Sequence, residues 1–374
     1  MGNNAGRFGF GHASGDDWQA VTRACVDQIK PPAGANLGFV YVTDVLAGDM
    51  DKITARLVQD TGVADWVGTT GLGVCATGTE YFEEPAVAAM VGCFPADGFN
   101  VFDQFGGDDA KFLDGLGPWA VRGEGHFAVI HADPRDPDMM ELIPELSDVA
   151  GCFLAGGLAS SRGVYAHVAG APTNSPLSGV VFGAEVPVVT ALTQGCSPIG
   201  PIHEVTQCQD NIAIEINGQP ALDVFREDIG EVLAQDLQRV AGYIFAAFPV
   251  VGSDRADYMV RNLVGLDEAR GLLAIGAPLE RGQKIMFCQR DGQTARDDLA
   301  RMLADLKRRA TTPIKGAIYF TCLGRGPNMF GAPGAELAAI EEALGDVPLV
   351  GFFCNGEISH NRVYSYTGVL SLFL

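Results

Sequence analysis

The chain has 374 residues, room for about two domains at ~100–200 residues each. Its 46 acidic against 25 basic side chains leave a formal net charge of −21, a field that repels phosphate backbones and anionic lipid, so no nucleic acid and no membrane is expected as a partner. With 47% apolar and 19% charged residues the composition is that of a folded globule, and no run reaches the ~18 apolar residues that a membrane helix needs.

The first residues, Met1-Gly2-Asn3-Asn4-Ala5-Gly6, hold no apolar stretch of the kind a secretory leader requires. Glycine is the compositional outlier, at 48 residues or about 13% against a usual ~7%, and it follows no collagen-like period. The nine cysteines are scattered with no C-x-x-C, which argues against a disulfide framework or zinc ribbon and for a reducing, cytoplasmic compartment.

In chain order, residues 38–43 (GFVYVT) form a short apolar run of β-formers. A helical stretch follows at 50–58, then a second run at 66–71 (WVGTTG). The same order recurs at 127–133, 140–146 and 149–157, and again at 316–322, 335–344 and 347–356. Each unit reads as strand, helix, strand and glycine-rich exit, and two strands joined by a helix of this length make a crossover. The runs are apolar without alternating, which predicts sheets covered by helices.

Between the second and third repeats the pattern changes. Residues 186–191 and 211–218 read as antiparallel strands, the latter ending in an Asn217-Gly218 turn, and helices are predicted near 222–226 and 231–245. Residues 285–288 and 295–306 supply a further strand and an amphipathic helix that closes on Lys307, Arg308 and Arg309, as the helix dipole favours. The expected fold is α/β (α+β): two related domains with mixed sheets covered by helices, built from repeated strand-helix-strand modules. A boundary is expected near 185–190.

Three segments carry the most specific patterns: 194–201 (QGCSPIGP), 321–326 (TCLGRG) and 350–358 (VGFFCNGEI). Together they resemble the FIST family, in which a FIST N-terminal domain is paired with a FIST C-terminal domain, and the likeness runs over residues 35–355. The resemblance implies an N-terminal extension at 1–34, a FIST N-terminal domain at 35–188 and a FIST C-terminal domain at 189–374. It further implies an intracellular sensing module of bacterial signal transduction, with a small molecule such as an amino acid as ligand and no chemistry of its own. Ser197 stands where many relatives are expected to carry Arg, so that loop is not expected to hold an anion. No F-box fits in the short N-terminal segment, and no kinase, HAMP or cyclase-type output region is attached, so a partner protein would receive the signal.

In open α/β sheets ligands gather outside the carboxyl ends of strands, which makes the strand exits the candidate site. At the third repeat, Cys322, Gly324, Arg325, Gly326 and Asn328 follow a strand. Glycines there free backbone N–H groups, and Arg325 offers a forked donor suited to a carboxylate. The alternative is a tight turn with Arg325 paired to an acid such as Glu336. Asn355, Gly356 and Glu357 leave the neighbouring strand; Glu357 would take an ammonium while Arg325 holds a carboxylate, or the segment is a hairpin turn leading to 363–367. Neither a Walker A loop nor a dinucleotide fingerprint is present, and no cofactor is expected. Cys322 with His360 would make a nucleophile–base pair only in a thiol-dependent hydrolase or transferase; a lining thiol is the plainer reading, Cys196 is read likewise, and a non-catalytic protein-interaction adaptor is the remaining alternative. The exits at 69–73 and 156–162 either line the same cleft or close turns. His126, His131 and His203 lack a third ligand at metal spacing and are read as structural or surface residues.

Overall fold

Each repeated segment folds as a parallel strand pair with a helix in the crossover. The computed structural model describes residues 8–123, 125–234, 237–240, 242–250 and 257–374. In the first module β1 (Leu37–Thr43) and β2 (Asp65–Gly71) flank α1 (Met50–Thr61). In the second, β3 (Gly125–Ala132) and β4 (Phe153–Leu158) flank α2 (Met139–Ala150). In the third, β5 (Gly316–Cys322) and β6 (Leu349–Cys354) enclose α3 (Ala335–Leu344). Each pair lies inside its own six-stranded sheet.

Antiparallel neighbours flank every pair. Ala86–Gly92 and His167–Ala169 flank β1 and β2. Leu177–Gly183 and Glu357–Ser359 flank β3 and β4. Thr367–Phe373 and Gly73–Ala76 flank β5 and β6. A C-terminal strand thus completes the second sheet and an N-terminal strand the third. Accordingly one compact unit joins residues up to Thr193 with Asp297–Leu374, and the other is Gln194–Arg296.

Both faces of the modular strands are buried, which is why the runs show no polar–apolar alternation. One face of each sheet enters a shared core: Phe39 of β1, Val67 of β2, Val129 of β3, Ala155 of β4, Phe320 of β5 and Phe352 of β6 all lie in it. The opposite face meets a helix, as Val40 and Val42 do with Met50, Ile53 and Leu57 of α1, and Ala128 and Ile130 with Ile143 and Leu146 of α2.

The glycine excess has two repeated uses here. Every module helix ends at a glycine with positive φ, Gly62 (+73°), Gly151 (+62°) and Gly345 (+83°), a conformation that costs other residues strain. The second strand of every pair carries a glycine opposite its neighbour, Gly68 beside Val40, Gly156 beside Ile130 and Gly351 beside Tyr319. A Cβ at these positions would lie 1.7, 2.0 and 1.7 Å from the neighbour's carbonyl oxygen.

The smaller unit is an antiparallel sheet with helix Ala221–Ala234 beside it and a core that includes Phe225, Ile244 and Phe287. Asn217 (φ 53°) and Gly218 (φ 75°) form the anticipated left-handed turn. The helix expected over 231–245 does not run that far: Ile244–Pro249 is a strand, and residues 235, 236 and 241 lie outside those described. An apolar run of six with Ile and two Phe suits a buried strand as well as a helix. The strand expected over 149–157 is also shorter, since α2 continues to Ala150. No helix among the described residues is long and apolar enough to cross a membrane.

Gly351→Ala should lower the unfolding free energy by about 1–3 kcal/mol or more, because the neighbouring backbone has no room to yield. Gly48→Ala, which meets nothing within 4 Å, should stay within ~0.5 kcal/mol. Urea denaturation of both variants checks this contrast.

Candidate functional site

The exits of β2, β4 and β6 meet at Ser160. Its hydroxyl accepts from the backbone N–H of Leu72 (2.8 Å) and donates to the carbonyl of Phe353 (2.5 Å), while its own N–H reaches the carbonyl of Thr70 (3.3 Å). Asn355 N–H donates to Leu158 O (2.9 Å) and Leu158 N–H to Gly356 O (2.8 Å). The exits read from sequence as a shared cleft or as separate turns are therefore tied to one another. Asn355 and Gly356 do not form the hairpin considered above. They carry the chain from the third sheet into the second, where Glu357 pairs with Gly157 of β4.

Strand alternation decides which face each side chain serves. Cys322 and Cys354 are register partners on the face of Phe320 and Phe352, toward the shared core. Glu357 is fully buried. Its Oε2 accepts from Thr367 N–H (3.1 Å) and Thr367 Oγ1 (2.8 Å), and its Oε1 has no partner. Burial pushes its carboxyl up to about 8, against the pull of Thr367, of Arg325 and of the neighbouring Cys322 thiol. The Cys322 thiol is likewise pushed far up, by burial first and then by Glu357, and it accepts weakly from Gly324 N–H (3.4 Å).

Arg325 serves the other face of the third sheet. It is fully buried; Nε (2.8 Å) and Nη2 (2.5 Å) donate to Glu336 Oε1 in the first turn of α3, and its guanidinium lies 5.1 Å from the Phe330 ring. Tyr319 OH (2.5 Å) and Thr321 Oγ1 (3.2 Å) also donate to Glu336. Burial opposes the charge on Arg325, but Glu336 and then Tyr319 more than offset it, so the group is held charged. The pairing with Glu336 foreseen as the alternative is the one the structure has, yet Nη1 remains without a partner.

The other sequence candidates divide. Gly326 (φ 55°) and Gly356 (φ 146°) are buried at the two exits and Gly324 is half-buried, whereas Asn328 and Asn355 are exposed. Gly326 opens a helix of only five residues, Gly326–Phe330. His360 is exposed and bonded to Asn361; its N–H donates to Leu154 O, toward the start of β4, so it is no base for Cys322. His203 has both ring nitrogens engaged, with Asp228 and Asn217 at 2.8 Å each. His126 is exposed and His131 is buried.

Sequence reasoning missed Thr367 as the partner of Glu357. It also missed a second polar group at the core's end, Tyr41, Thr69, His131, His167 and Ser178. Parity carries a signal for these: His131 lies two residues beyond Val129, and Tyr41 two beyond Phe39, on the core face.

Comparison with known proteins places the chain. The FIST N domain matches residues 36–219 and the FIST C domain residues 221–360, so this protein belongs to the FIST family, whose domains are associated with sensing in signal transduction. Among similar proteins, an uncharacterized protein of Mycobacterium tuberculosis is 29% identical over 324 residues, covering 82% of this chain and 83% of its own. One of Mycobacterium bovis is 31% identical over 240 residues, 61% of this chain and 62% of its own. An F-box/LRR-repeat protein of Arabidopsis thaliana is 28% identical over 109 residues, 28% of this chain and 21% of its own.

Glu357 makes a specific pH dependence. Its folded value near 8 lies above the usual 4.5, so folding retains a proton that the unfolded chain releases. The stabilisation is complete below pH ~4.5 and is lost as pH rises to about 8, a fall of roughly 1–4 kcal/mol. Glu357→Gln should flatten that slope; equal slopes in denaturation series at pH 5 and pH 8 would refute the assignment.

Proposed function

We propose that this FIST protein is a cytoplasmic sensor that binds a small polar ligand, of which an amino acid is the simplest, at the joined strand exits. The observation that carries the reading is a pair of fully buried, unpartnered atoms of opposite character, Arg325 Nη1 and Glu357 Oε1. Buried polar atoms are normally paired, and each one left dry costs about 1–3 kcal/mol. The two lie on either side of the end of β5, and Cys322 interacts electrostatically with both. A ligand carboxylate would accept from Nη1; Glu357 holds its proton at neutral pH and would offer Oε1–H to a ligand hydroxyl, or take an ammonium on releasing that proton, so one small molecule with both groups would satisfy both residues.

Gly324, Gly326 and Gly356 shape the exit backbone, where Tyr366, Phe353 and Val363 pack against them, and exposed Asn328 and Asn355 would form the rim. The buried, protonated thiol of Cys322 has no adjacent histidine base among the described residues, which supports binding without catalysis over a thiol-dependent enzyme. The nine cysteines form no disulfide, in keeping with a reducing cytoplasm. The bound state would be read by a partner protein.

A thermal-shift series with amino acids and small carboxylic acids tests this. One member should raise the melting temperature saturably, approaching ~2.7 kcal/mol of stabilisation at a hundredfold excess over Kd, and Glu357→Gln should weaken it about tenfold or more. A panel with no saturable shift would overturn the reading.

A further inference from the structure

Three more buried polar atoms lie without partners at the carboxyl-terminal end of the shared core: His131 Nδ1, His167 Nε2 and Ser178 Oγ. Sheet register places Ser178 beside His131 and His167 beside Thr69. Ser178 is the direct cross-strand partner of His131 in the second sheet, and Tyr41, Thr69 and His167 are successive register partners in the first. The two rows touch where Tyr41 OH meets His131 Nε2 at 3.1 Å.

The hydrogen-bond network assigns what each orphan offers. Thr69 Oγ1 gives its hydrogen to the carbonyl of Ala166 (3.2 Å), so it accepts from His167 Nδ1–H (3.0 Å), and His167 Nε2 is left as a bare acceptor. Tyr41 OH has no other acceptor among the described residues and so gives its hydrogen to His131 Nε2, which leaves His131 Nδ1–H as a donor. Ser178 Oγ can do either. Burial holds both rings neutral, at about 3 for His131 and about 4 for His167, with Asp133 and Arg135 acting on His167 in opposite senses. Asp133 is itself paired with Arg135, so no free charge faces the cluster from that side.

A donor, an acceptor and a hydroxyl with no net charge match an uncharged group that accepts and donates at once. They do not match an ion. We propose that this cluster is a second ligand site, separate from Arg325 and Glu357, that takes a small neutral molecule through a hydroxyl or a primary carboxamide. The molecule's oxygen accepts from His131 Nδ1–H, its hydrogen goes to His167 Nε2, and Ser178 Oγ supplies the third contact. The site stands whether or not the first reading holds, since it shares no residue with it.

The test follows the ring nitrogens of His131 and His167 in the 15N-histidine-labelled full chain while acetamide or methanol is added, with sodium acetate and ammonium chloride as charged controls. The free protein should show both rings as neutral Nδ1–H tautomers. Acetamide or methanol should move both sets of resonances saturably, acetamide alone indicating the carboxamide and methanol also the hydroxyl. Ser178→Ala should weaken the saturation about 5–10-fold. Linear shifts, silence up to molar probe, or an equal response to acetate would mean hydration only and overturn the proposal. If Ser178→Ala does not fold, the titration of the unmodified chain decides alone.

Discussion

The hydroxyl of Ser160 closes hydrogen bonds to the backbones of β2's exit and β6, strands that lie more than 250 residues apart at Leu72 and Phe353. Three parallel pairs each expose unsatisfied backbone groups where their strands end, and buried backbone groups need partners. Here the ends satisfy one another through Ser160, Leu158, Asn355 and Gly356. Because the exits must meet, the second sheet recruits Glu357–Ser359 and the third recruits Gly73–Ala76. Within each module the paired strands also approach closely, at Gly68, Gly156 and Gly351.

Joining the exits has an electrostatic consequence. Polar side chains that an isolated module would leave in water are carried to the end of a common apolar core. Glu357, His131 and His167 are buried there and Arg325 on the opposite face of the third sheet, and burial shifts the carboxyl and the imidazoles toward their neutral forms. Arg325 alone retains its charge, because Glu336 in the first turn of α3 opposes it at hydrogen-bond distance. A folded chain that keeps unpartnered polar atoms in such a place gives up stability, a loss that the proposed ligand would offset.

Much of this was legible in the sequence, for physical reasons that differ by element. The module strands and helices are readable because both strand faces are buried and the helices carry one apolar face, and Asn217-Gly218 announced its turn. Ile244–Pro249 was misread because a short apolar run has no period of its own. Cys322, Arg325 and Glu357 stood out as exit residues, and Glu336 was visible as an acid within reach of Arg325. What no local pattern contains is the pairing between distant segments: that Glu357 leaves the third sheet for the second, or that Tyr41 meets His131, depends on register across sheets. The placement of Asp297–Leu374 with the N-terminal segment is of the same kind.

The claim that the three modules are held as one cooperative body by their joined exits is open to native-state hydrogen exchange at the amides of Leu72, Leu158 and Asn355. The account predicts a common free energy of exchange at all three, close to that of global unfolding, and a common fall of about 1–3 kcal/mol in Ser160→Ala. Three unequal values, or a fall confined to Leu72, would contradict it.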